Sequence, residues 1–135
     1  MKADVVVRSP SAECLNAILQ LDALGEVIAI ESAPSRELIL LREGTRNHGI
    51  LLRQRDVLLV PGNATPRREL LPELLQALHS SDRIAGVEGE GCLLLSHVAL
   101  NIIGAFDARL DEDAQLADWE IRAAQFGLTL IRARR

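Results

Sequence analysis

The chain has 135 residues, 48% apolar and 25% charged, a length and balance that fit one globular domain spanning residues 1–135 and exclude a disordered chain. Its formal charge of -4 argues against a general polyanion binder, and its one Trp, two Phe and no Tyr argue against a base-stacking nucleic-acid reader. Cys14 and Cys92 lack the CxxC spacing of a zinc site, and the three valines near the start are too short for a signal peptide or membrane span, so a cytoplasmic protein, or a domain of a larger one, is expected.

"DVVVRS" reads as a short buried strand. Ser9 and Pro10 then supply an N-cap and a first helical residue, Leu15, Ile18 and Leu19 repeat at helical spacing, and Gly25 is expected to close that helix. "EVIAIES" is a second strand followed by the turn-like "APS", so the chain opens strand–helix–strand, the pattern of a parallel pair. "ELILL" is a third apolar run, and "GTRNHGILLRQ" reads as loop and then a short helix.

"DVLLV" is the next strand, and it runs into "PGNATP". Leu70, Leu71, Leu74, Leu75 and Leu78 share one helical face, and Pro72 places the start of that helix close to itself. "IAGVEGEGCLLLS" holds two strand-like runs about a Gly-rich turn, and "HVALNIIG" is a short helix ending at Gly104. "DEDAQLADWEIRAAQFG" is the clearest helix. Acids open it, Leu116, Trp119, Ala123 and Phe126 are expected on one face, and Gly127 stops it. "LTLIRA" is a last strand. The alternation predicts an α/β fold, a three-layer sandwich around a mostly parallel sheet.

Three stretches carry a resemblance. "TRNHGILLRQRDVLLVPGNATP" is similar to "ARNxGIxxAxGDxLLFLDPDTxP", "IIGAFDARL" to "IGGFDExL", and "QLADWEIRAAQFGLTLI" to "EDxDLxxRxxxxGxxI". In this order they resemble the inverting family 2 glycosyltransferases, which have the GT-A (nucleotide-diphospho-sugar transferase) fold. The resemblance is specific over residues 44–131 and looser before them. It implies transfer of a sugar from a nucleotide-sugar donor to an acceptor hydroxyl. A divalent cation on an Asp-x-Asp motif would neutralise the leaving diphosphate, and a carboxylate near the later Glu-Asp pair would act as base.

The chain departs from that pattern at each chemical position. The cation motif falls on Pro61-Gly62-Asn63 or on Gly62-Asn63-Ala64, with no carboxylate in either register. The base pair falls on Gln115-Leu116, and Leu116 cannot take a proton. The acid that contacts the nucleoside falls near Glu31. No metal site or other cofactor is therefore expected.

The resemblance marks Glu31, Arg46, Asn47, Gly49 and Asn63 as donor-binding candidates, with Arg67 and Arg68 as replacements for the cation's charge. Glu112 and Asp113 are the candidates for a displaced base, although two acids opening a helix favour its positive end by about 0.3–1 kcal/mol each without any catalytic role. Asp118 and Arg122 read as a helix-surface pair. His48, His79 and His97 have no triad or metal spacing, and His48 lies nearest the donor loop of the resemblance. Phe106 reads as a core anchor and Asp107 as a turn residue.

Three functional readings follow. The first is a degenerate glycosyltransferase-like domain that serves nucleotide-sugar binding or interaction. The second is an active, metal-independent transferase with a relocated base. A plain doubly wound regulatory module is a third. "CLLLS" and "ELLPELLQALHSS" invite a homo-oligomer or a partner protein.

Overall fold

The computed structural model describes residues 1–30, 39–41, 54–107 and 109–132, the side chains of residues 39–41 and of Glu112 excepted. Its strands are β1 (Ala3–Arg8), β2 (Leu24–Ile30), β3 (Ile39–Leu41), β4 (Asp56–Val60), β5 (Ile84–Gly89), β6 (Cys92–Leu95) and β7 (Thr129–Arg132). Its helices are α1 (Ala12–Leu19), α2 (Leu70–Leu78), α3 (His97–Ile103) and α4 (Glu112–Gln125).

The described strands form one seven-stranded sheet in the order β3-β2-β1-β4-β6-β5-β7. All neighbours are parallel except at β6, which runs antiparallel to both β4 and β5. The exception has a local cause. β5 and β6 are joined by Glu90 and Gly91, both at positive φ (53° and 80°), a two-residue hairpin turn that fixes an antiparallel pair.

Alternation along the strands separates two cores. Val5, Val7, Val27, Ala29, Leu58, Val60, Val87 and Leu94 face α1 and the leucine face of α2. Val6, Ile28, Ile30, Val57, Leu59, Ala85, Leu93 and Leu95 face α3 and α4. The result is the expected three-layer α/β sandwich around a mostly parallel sheet. Leu70, Leu71, Leu74, Leu75 and Leu78 are all buried, each such side chain contributing about 1.5–3 kcal/mol relative to an exposed one. Pro72 is the third residue of α2, where its missing N–H has no intrahelical carbonyl to lose.

Four local expectations are corrected. The N-cap of α1 is Ser11, whose Oγ accepts from Cys14 N at 3.0 Å, so Ser9 and Pro10 stay in the turn before the helix. Gly25 lies within β2, where a Cβ would collide with the Asp4 carboxylate; α1 already ends at Gln20. Leu19 is exposed, and Cys14 fills the inward place beside Leu15 and Ile18. Phe126 follows the last turn of α4 and is 56% exposed, while Trp119 and Ala123 are buried.

Acids pin the amino ends of the central strands. Asp4 Oδ1 accepts from Glu26 N (2.8 Å) and Arg55 Nη1 (3.1 Å). Asp56 Oδ1 accepts from His97 N (2.8 Å) at the start of α3, and its Oδ2 accepts from His79 Nε2 (2.7 Å) at the end of α2. His79 and His97 are thus parts of one structural tie; His48 lies outside the described residues.

Burial in the α1–α2 core raises the thiol pKa of Cys14 and pushes that of Cys92 up to about 12, with the Glu90 and Cys14 charges adding to the effect on Cys92. A raised folded-state value stabilises the fold below the ordinary thiol range and loses that stabilisation as pH rises toward 12. The native chain is therefore expected to resist alkylation at Cys92 at pH 8 and to lose stability between about pH 9 and 12. Mass spectrometry after iodoacetamide tests the first; rapid labelling of Cys92 without denaturant would contradict it.

Candidate functional site

The order of the sheet reverses direction at β1. From there β2 and β3 extend to one side and β4 begins the other. In open α/β sheets the carboxyl ends of such strands leave a crevice, because the flanking helices diverge. Here a cleft of about 490 Å³ lies at that place. Its lining includes Arg8 and Ser9 after β1, Pro61 and Gly62 after β4, Glu88 and Gly91 from the β5–β6 hairpin, and Phe106, Asp113 and Leu116.

The rim beside β1 and β4 is a clasp of two turns. Ser11 N donates to Gly62 O (2.9 Å), Ala64 N to Pro61 O (3.0 Å), and the Cys14 thiol to Pro61 O (3.4 Å). A Cβ added at Gly62 would collide with the carbonyl oxygen of Arg8 and stand 3.0 Å from that of Ser9. Gly62 is therefore required by backbone approach. Ser9 has φ 44°, a left-handed conformation that costs a non-glycine residue about 1–2 kcal/mol, and its N–H is held by Ile30 O at 2.9 Å.

The opposite wall is set by α4. Three successive carbonyls, from the last residue of α3 onward, accept from its side chains: Ile103 O from Arg122 Nη1 (3.1 Å), Gly104 O from Trp119 Nε1 (3.0 Å) and Ala105 O from Arg122 Nη2 (2.8 Å). Gly104 is at φ 88°, which lets the chain turn there. Phe106 is delivered against Trp119, with ring centroids 6.0 Å apart and a 59° tilt. Asp118 Oδ2 accepts from Arg122 Nε at 3.0 Å. The expected helix-surface pair is thus only part of the role of Arg122, which brackets the segment carrying Phe106. The core placement of Phe106 agrees with expectation. Asp107 makes a tight turn through Arg109 N (3.1 Å), and hydrogen bonds from Arg109 hold its carboxyl down to about 2.

The sequence-derived site residues are only partly brought together. Asp113 lines the cleft three residues before Leu116, on the same face of α4. Glu112 begins α4. Gln115 turns inward and its Nε2 donates to Leu110 O at 2.9 Å, so the positions that resemble the base pair present an amide to the backbone and a hydrocarbon to the cleft. Asn63 is exposed in the β4 turn next to Gly62.

Arg67 and Arg68 stand outside the described lining. Arg67 is bound to Glu73 (2.9 Å) and Glu90 (3.1 Å), and Arg68 to Asp22 (3.0 Å). Hydrogen bonds donated to these acids raise both guanidinium pKa values. Glu31, Arg46, Asn47 and Gly49 lie outside the described residues.

Sequence reasoning missed two charged lining residues. Arg8 ends β1, and Glu88 sits on β5 with Oε2 accepting from its cross-strand partner Arg132 at 3.2 Å. The available signal was a charge at the end of, or within, an otherwise apolar strand.

The β4 turn does not fit a divalent cation. Such a cation takes several oxygen ligands, with carboxylates foremost. This turn presents no carboxylate, Gly62 has no room for a side chain, and the carbonyls of Pro61 and Gly62 already accept hydrogen bonds. Among the described residues no group of three or more His, Cys, Asp or Glu side chains is placed to hold a metal ion. No helix among them is long and apolar enough to cross a membrane.

No family model matches the chain, and no curated protein matches it. Solved structures do. Glucosyl-3-phosphoglycerate synthase from Mycobacterium tuberculosis, in complex with Mn2+, UDP and glucosyl-3-phosphoglycerate, superposes with a TM-score of 0.67 at 12% identity, covering 99% of this chain and 72% of that one. The same synthase with Mn2+, UDP-glucose and phosphoglyceric acid gives 0.65 at 12% identity, covering 99% and 71%. 4-Diphosphocytidyl-2C-methyl-D-erythritol synthase gives 0.63 at 8% identity, covering 99% and 89%. The chain has a GT-A-like α/β fold.

Proposed function

We propose that this chain, folded as a single domain, is a degenerate glycosyltransferase-like module that binds a nucleotide sugar or related ligand and has lost metal-dependent sugar transfer. The observation that carries this reading is the β4 turn. A strand points at the cleft, yet Pro61, Gly62 and Asn63 bring it no carboxylate, and Gly62 has no room for one. Hydrophobic walls from Leu59, Leu93, Phe106 and Leu116, with a few polar groups among them, are the composition of a small-molecule site. The carboxylates of Glu88 and Asp113 are acceptors suited to ligand hydroxyls.

A second reading rests on Asp113. A carboxylate in the cleft is the minimum a metal-independent transferase needs as base toward an acceptor hydroxyl, with Glu112 beside it at the start of α4.

Thermal melting with UDP-, GDP- and dTDP-sugars, with and without Mn2+, separates the two. A stabilisation of about 2–3 kcal/mol is expected at a hundredfold excess over Kd. Stabilisation without release of free nucleotide supports the binding module. Release that is lost in Asp113→Asn supports the transferase. No shift with any donor contradicts both and favours an interaction module.

A further inference from the structure

The cleft has no place for a cation at the β4 turn, yet a diphosphate needs a counter-charge somewhere within reach. Arg67 and Arg68 do not supply it from within the described lining, where neither stands. Arg8 does line the cleft, as the last residue of β1, and it is the one cation among the described lining residues.

Its position is fixed from both sides. β1 is paired along its length with β2 and β4, and the clasp to Gly62 sets the Arg8 carbonyl against the β4 turn. Arg8 therefore stands next to the place where the resemblance puts a cation. A guanidinium offers five N–H donors in a planar fork matched to phosphate oxygens, and it can serve a neighbour in the chain and an anionic ligand together. Two acids share the cleft. Glu88 is offset by Arg132 at 3.2 Å, and Asp113 enters the cleft from α4.

We propose that Arg8 is the phosphate-binding residue of this cleft and takes the place of a divalent cation, so that a phosphate-bearing ligand binds without metal. This rests on the reading of the cleft as a nucleotide-sugar site, and names the group that would hold the anionic part of the ligand.

Calorimetric titration of the whole chain with UDP and with uridine, in EDTA and in Mn2+, tests it. Wild type is expected to bind UDP with the same affinity in EDTA and Mn2+, within about threefold. Arg8→Gln is expected to weaken UDP at least about tenfold, the range of a charge-assisted hydrogen bond, while uridine changes less than about twofold. Should that variant fold poorly, salt dependence of the wild type carries the test. UDP affinity should fall steeply with ionic strength and uridine affinity should not.

UDP binding that requires Mn2+, that survives Arg8→Gln intact, or that ignores salt overturns the assignment of Arg8, and leaves the cleft as a nucleotide site. Failure of the wild type to bind either UDP or uridine overturns the nucleotide reading as well.

Discussion

Trp119→Ala is expected to lower the unfolding free energy by about 3–5 kcal/mol, the range for truncating a fully buried aromatic. Trp119 is 0% exposed at the centre of the α3–α4 core, in contact with Phe106. It does more than fill space. Its Nε1 donates to Gly104 O at 3.0 Å, one of three carbonyls that Trp119 and Arg122 hold in succession. Truncation leaves a cavity and a carbonyl without its donor, and it releases the wall that places Phe106 in the cleft. Trp119→Phe separates these effects. It keeps most of the volume and loses the donor, with an expected cost of about 1–3 kcal/mol. Urea unfolding followed by far-UV circular dichroism measures both, since the variants remove the sole indole fluorophore. Equal stability of the three proteins would contradict the account of this wall.

Gly62→Ala is expected to cost about 1–3 kcal/mol and to abolish the nucleotide-sugar binding proposed for the cleft. The added methyl meets the Arg8 carbonyl, a backbone atom that cannot rotate away as a side chain can. Relief requires one turn to leave the other, which breaks the 2.9 Å bond from Ser11 N to Gly62 O and shifts the segment that carries Arg8 and Ser9. Gly91→Ala is the control. Gly91 also lines the cleft, at φ 80°, but nothing lies within 4 Å of its missing Cβ. That substitution should cost about 1–2 kcal/mol of backbone strain and leave the clasp, and so ligand affinity, unaltered. Equal effects of the two substitutions on binding would contradict the clasp.

The contrast between these residues shows what the sequence made legible. The strands could be read because a short apolar run bounded by turn residues is a local signal, but the division into two cores could not: Val5, Val6 and Val7 are alike in sequence, yet Val5 and Val7 face one core and Val6 the other. The position of the β4 turn could be read because an apolar run ended at Pro-Gly. The role of Gly62 could not, because its constraint is the carbonyl of Arg8, more than fifty residues earlier in the chain.

Trp119 and Arg122 have the spacing of an ordinary helix, and their acceptors are backbone carbonyls, which leave no mark in a sequence. Ser9 illustrates the limit of cap statistics. Cap statistics pointed to Ser9-Pro10, yet the cap is Ser11, whose N–H is taken as a donor by the β4 turn. Charges carried furthest from expectation. Arg67 and Arg68 follow the altered motif directly in sequence, yet they meet Glu90, Glu73 and Asp22. Arg8, set apart from that motif by some fifty residues, is the one that parallel pairing of β1 with β4 brings into the cleft.

The central claim is that the cleft keeps a nucleotide-sugar scaffold and dispenses with the cation. Its most direct test is a calorimetric titration with UDP-glucose, first in EDTA and then in saturating Mn2+. The account predicts binding in EDTA with an affinity that Mn2+ changes less than about threefold, a difference of roughly 0.6 kcal/mol. Binding that appears only when Mn2+ is added would contradict it.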